Sequence, residues 1–171
     1  MPIRSSVAPL SPRQDRSISL ADQPQVRAAL EWLDKDLNWV TEQQVRLTEI
    51  PAPSFQEEKR AEAVKALLAA EGLSLRVDKM GNVIGELRGA REDEVVLLTA
   101  HLDTVFPAGT DVQVRREGER LMAPGISDNG TGLAGMLAVV RAIHAAKIKP
   151  ERTILFAANV GVTSRAGLLR P

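Results

Sequence analysis

Val95-Val96-Leu97-Leu98-Thr99-Ala100-His101-Leu102-Asp103-Thr104-Val105 decides the fold class of this chain. Its first six residues form a short, nearly continuous apolar run, the pattern of a strand buried in a sheet with helices packed on it. The run ends in a histidine and a carboxylate two positions apart. Open α/β sheets build their sites at the C-terminal ends of strands, so the sequence delivers an imidazole and an acid together at such an end.

Downstream, Gly125-Ile126-Ser127-Asp128-Asn129-Gly130 leads into Thr131-Gly132 and an apolar helical face of Leu133, Met136, Leu137, Val140 and Ile143. Thr153-Ile154-Leu155-Phe156-Ala157-Ala158-Asn159-Val160 then reads as a second buried strand. Strand, helix and strand in this order predict a right-handed crossover with parallel pairing. Upstream, apolar residues from Val26 to Leu47 keep a helical spacing with an interruption near 38–41, so one long helix or two abutting helices fit residues 25–49. Ile50-Pro51-Ala52-Pro53 breaks that pattern, and Ser54 with Glu57 has the spacing of a capping box for a helix over 55–71. Residues 73–77 and 83–87 read as strands, 91–94 as a solvated turn before the central strand, and 112–116 with 120–123 as a hairpin.

Composition narrows the function. The 171 residues are 44% hydrophobic and 26% charged, enough for one domain with a core. Equal numbers of basic and acidic side chains, 22 each, leave no global field for nucleic acid or an anionic membrane. With no cysteine, a disulfide framework and a thiolate zinc site are both excluded, and a metal would rest on histidine and carboxylate. Residues 1–24, rich in Ser, Pro and Arg, read as a flexible leader. No stretch approaches the roughly 20 apolar residues that span a bilayer, and no secretory signal core is present, so the cytoplasm is the expected location.

On the residues alone two readings of the site stand. His101 and Asp128 can ligate a cation, with Asp103 fixing the histidine tautomer and Asp128 able to bridge two ions through its two oxygens. Equally, a histidine after a strand can be a hydrogen-bonded structural residue, and Asp-Asn-Gly before a helix can be turn chemistry and a cap. His144 reads as a packing residue on its helix, Trp32 and Trp39 as core or interface, and Gly130 with Gly132 lacks the Lys-Ser or Lys-Thr of a phosphate loop.

From Ile50 to Val160 the chain resembles the co-catalytic zinc peptidase and deacylase family of peptidase T, acetylornithine deacetylase, succinyl-diaminopimelate desuccinylase and carboxypeptidase G. The resemblance rests on five ordered pieces: Ile50-Pro51-Ala52-Pro53-Ser54 with Glu57-Glu58, Asp78-Lys79-Met80-Gly81-Asn82-Val83, Thr99 to Val105, Gly125 to Gly130, and the strand reaching Asn159-Val160-Gly161. It implies a three-layer α/β/α sandwich with a mixed, mostly parallel sheet, truncated before a lid or dimerisation domain. It implies His101 as a ligand of the first zinc, Asp103 as the catalytic carboxylate that orients and polarises it, and Asp128 as the bridge between two zinc ions. The substrates implied are small peptides or N-acyl amino acids, with no nucleic-acid or membrane partner and no organic cofactor, and intact members are often homodimers.

The pattern departs where the family continues from Gly into two glutamates, a general base and a second-metal ligand, because here Gly161 is followed by Val162-Thr163-Ser164-Arg165. The expected organisation is therefore a leader at 1–24, the N-terminal part of the catalytic domain at 25–161, and an aberrant, truncated or frame-shifted tail at 162–171. The expected zinc set is incomplete and the expected hydrolase activity of this chain negligible. Two alternatives accompany it: a non-catalytic remnant or interaction module, and a single-domain co-catalytic zinc aminopeptidase.

Overall fold

The computed structural model describes residues 20–162. All but Val162 of the expected tail, and nearly all of the expected leader, lie outside them. Two helices open the described part, α1 (Pro24–Lys35) and α2 (Leu37–Thr48), and they meet at Asp36. The break that the spacing places at 38–41 thus falls slightly earlier. Proline at the first turn of α1 suits that position because its missing N–H would be unpaired there anyway. Across the junction Arg141 stacks on Trp39 at 4.0 Å and lies 5.4 Å from Trp32, so both tryptophans serve packing.

Helix α3 (Glu58–Ala70) follows the proline turn and buries Ala61, Val64 and Leu68, one stripe at helical spacing. Its start corrects the capping-box expectation. The helix begins at Glu58 with no side-chain cap. The Ser54 hydroxyl instead donates to Asp103 Oδ2 at 2.8 Å, and Glu57 Oε1 accepts the N–H of Phe55 at 2.9 Å. Both side chains are used by partners near and far rather than by the helix terminus.

Strands β1 (Ser74–Val77), β2 (Val83–Leu87) and β3 (Arg91–His101) come next, then the small hairpin β4 (Arg115–Glu117) and β5 (Arg120–Met122). A single wide π-type turn over Ile126–Thr131 leads into α4 (Gly132–Ala145), and β6 (Arg152–Asn159) closes the described part. Residues 91–94, read as a turn, are the first residues of β3, joined to the rest through a register irregularity between Arg91 and Val95.

The sheet order is β1-β2-β6-β3. It is mixed, as expected. Only the β3–β6 pair is parallel, with His101 opposite Asn159, whereas β1–β2 and β2–β6 are antiparallel. "Mostly parallel" therefore does not describe these four strands, and β3, expected to be central, is an edge among the described residues. Neither could be read from the strands one at a time, because the crossover helix dictates only the β3–β6 relationship.

Helices α3 and α4 pack their apolar stripes on one sheet face and α2 packs on α4, so that Leu47, Val64, Leu68, Leu133, Leu137 and Val140 share one core with Val83, Ala100, Leu102, Phe156 and Ala158. Of the expected α/β/α layering, the described residues thus form one helical layer and the sheet. On the opposite face Val95 is 53% and Leu97 60% exposed. No described helix is long and apolar enough to cross a membrane.

Candidate metal-binding corner

The C-terminal end of β3 carries His101 to the top of the sheet, and the N–H of Leu102 continues the pairing by donating to Asn159 O at 2.7 Å. Asp103 follows, fully buried at 0% exposure. Its Oδ2 accepts the Ser54 hydroxyl and its Oδ1 accepts the backbone N–H of Val162 at 3.1 Å. Donors of the protein rather than water satisfy both oxygens of this carboxylate. Thr104 N–H then donates to Ala52 O at 2.9 Å, tying the segment after the motif to the proline turn.

Asp128 arrives from the helical layer. Gly125 adopts the left-handed conformation at the entrance of its loop, and a Cβ there would lie 2.9 Å from Thr104 Cγ2. Gly130 presses the loop against α2, where a Cβ would lie 2.3 Å from the Thr48 hydroxyl. Gln44 Nε2 donates to both Ile126 O and Thr131 Oγ1, bracing the two ends of the turn from α2. The glycines of this stretch are thus demanded by close approach.

These supports bring the sequence-predicted residues together. His101 Nε2 lies 2.8 Å from Asp128 Oδ1. On the other side of the ring, Nδ1 lies 2.9 Å from the Asp103 carbonyl oxygen and 3.3 Å from its carboxylate. Acceptors thus face both ring nitrogens; in the tautomer with its proton on Nδ1, where two oxygens stand, the Nε2 lone pair faces a carboxylate oxygen. Two electron-rich atoms at this separation need a positive centre between them, a proton or a metal ion. Asp128 is 78% exposed at its side chain, so its second oxygen reaches solvent.

The donor chemistry fits zinc, which takes imidazole nitrogen and carboxylate oxygen. The donor number does not complete a site. Among the described residues no group of three His, Cys, Asp or Glu side chains is arranged to hold a metal ion, whereas catalytic zinc takes about three protein ligands. Asp103 is not a third donor to the gap, since it stands behind the ring. His144, the chain's other histidine, lies away at the end of α4, 3.5 Å from Glu71.

Sequence reasoning missed the supporting shell. Asn129 Nδ2 donates to His101 O at 3.3 Å, and the buried Arg60 donates to the carbonyls of Thr48, Ile50 and Leu102. Burial lowers the Arg60 guanidinium to about 10, opposed by the negative charges of Asp103 and Glu57, so it stays protonated at neutral pH.

Residues 82–161 match peptidase family M28. Over 91 residues the chain is 34% identical to a putative succinyl-diaminopimelate desuccinylase DapE of Mycobacterium tuberculosis, covering 53% of this chain and 25% of that protein. Over these stretches the chain is similar to zinc peptidases and deacylases. It is 31% identical over 110 residues to a cytosol non-specific dipeptidase of Escherichia coli, covering 56% of this chain and 23% of the relative. Among solved structures the fold is similar to aminopeptidase PepT of Bacillus cereus, with a TM-score of 0.64 and 22% identity over 73% of this chain and 36% of that one. The chain spans about a quarter of the length of the curated family members it matches.

Proposed function

We propose that this chain carries the first-metal corner of a zinc-dependent hydrolase of peptide or N-acyl amide bonds, with His101 Nε2 and Asp128 as zinc ligands. The observation that supports this reading most is the 2.8 Å approach of His101 Nε2 to Asp128 Oδ1 while Asp103 occupies the other ring nitrogen. Zinc bound in such a site polarises an amide carbonyl and lowers the pKa of a water to roughly 7. Asp103 holds the imidazole in one tautomer and orientation, the task of a carboxylate behind a metal-bound histidine. Asp128, whose side chain is largely exposed, would be available to hold a second ion as well. A small peptide or N-acyl amino acid is the substrate class that accords with the names of the relatives.

The zinc reading is tested by titrating Zn2+ into 15N-labelled protein. We expect the His101 Nε2 resonance to shift, the His144 ring to stay unmoved, and both His101→Asn and Asp128→Asn to abolish the response; an equal response of the two histidines would overturn the reading. Affinity should be low, because two protein donors are fewer than the usual three.

Turnover is a separate matter. Val162-Thr163 stands where the family pattern places a general base and a metal ligand. Without a base to take the proton of water, a catalytic factor of roughly 10²–10⁴ is forfeited in addition to the missing ligand. We therefore expect no measurable zinc-dependent hydrolysis of tripeptides or N-acetyl amino acids by this chain. Measurable turnover abolished by His101→Asn would contradict that expectation. The match of residues 82–161 to family M28 supports the second reading, a single-domain co-catalytic zinc aminopeptidase.

A further inference from the structure

Two buried carboxylates from distant segments meet at the end of β6, and only one of them belongs to the histidine motif. Asp103 Oδ1 accepts the N–H of Val162 at 3.1 Å. The preceding amide, Gly161 N–H, donates to Glu57 Oε1 at 2.9 Å, 104 residues away in sequence. The same oxygen takes the N–H of Phe55. Glu57 is buried between α3 and the end of the sheet, and Gly161 has φ +65° with a would-be Cβ 2.8 Å from the Phe55 ring. The turn after β6 is therefore shaped by one glycine and held by two acids.

Arg60 supplies the balancing charge. It is 1% exposed, it feels both Glu57 and Asp103, and its guanidinium donates to Leu102 O, inside the His101–Asp103 motif, at 2.7 Å. One cation thus stands between the acid that grips Gly161 and the acid that grips Val162.

We infer that Glu57 is a positioning residue of the corner: with Arg60 it locks the Gly161–Val162 turn against Asp103, so that the end of β6 and the 101–103 motif move as one body. The inference rests on the zinc reading, deepens it, and gives the Glu57 side chain a task in place of helix capping. Charged acceptors bind backbone N–H groups about twice as strongly as neutral ones, which suits a carboxylate for fixing a turn with few neighbours.

The test is amide hydrogen exchange on the native chain and on Glu57→Met and Glu57→Gln. In the methionine variant Gly161 should exchange at least about tenfold faster while amides in the middle of β6 keep their protection, and glutamine, which retains a carbonyl, should fall between the two. Unchanged protection at Gly161, or a uniform rise along all of β6, would overturn the inference. Should the variants fail to fold, a through-hydrogen-bond scalar coupling between Gly161 nitrogen and the Glu57 carboxyl carbon in native protein decides the matter: its presence supports the lock and its absence refutes it. Absence of any zinc response at His101 in the same samples would count against the zinc reading alone and leave the Gly161 result intact.

Discussion

Replacing Arg60 with methionine should cost the fold about 3–5 kcal/mol, the range seen when one partner of a buried ionic group is removed. The side chain makes four hydrogen bonds to the carbonyls of Thr48, Ile50 and Leu102. Methionine fills much of the volume but donates nothing, so those carbonyls lose their donors and the buried Glu57 and Asp103 lose their cation. Native domains are stable by only about 5–15 kcal/mol, so this one change removes a large share. Urea unfolding followed by circular dichroism gives the measurement; a midpoint within error of the native protein would refute the role assigned to Arg60. The Arg60→Lys variant should recover only part of the loss, because a lysine can satisfy one or two of the carbonyls but lacks the planar fork.

Substituting Leu97 with lysine should change the association state rather than the stability. Among the described residues, Leu97 and Val95 stand exposed on a sheet face that no helix covers, in a strand that is also an edge. An apolar, unpaired edge of this kind is a template for pairing with another chain, and a single inward or face-placed charge is the usual protection against it. We expect the native chain to associate with rising concentration in sedimentation velocity and the Leu97→Lys variant to remain a monomer over the same range. A native chain that stays monomeric throughout would overturn this expectation.

Much of the architecture was legible because burial writes itself into local pattern. Val95 to Ala100 and Thr153 to Val160 are apolar runs, and the helical face between them leaves one sensible connection, so the β3-α4-β6 unit follows from sequence. Sheet order was not legible: that β2 inserts beside β6 in antiparallel sense, leaving β3 at an edge, depends on pairings that no single strand encodes. The three corner residues stood out because His101 and Asp103 close a strand and Asp128 lies between glycines. The roles of Ser54, Glu57 and Arg60 did not, since Ser and Glu three apart read as a cap and nothing in the local pattern singles out Arg60. Their long-range partners at Asp103, Gly161 and Leu102 give them their purpose, and those partners are invisible until the chain is folded.

His101 is borne by the sheet and Asp128 by the helical layer, so the gap between them is a caliper reading of core thickness. Core side chains such as Ala100 on the sheet and Leu137 on α4 act as spacers for the gap. Enlarging either one would wedge the layers apart and widen the bite, which makes the spacing of His101 and Asp128 a trait that drift in the hydrophobic interior can retune.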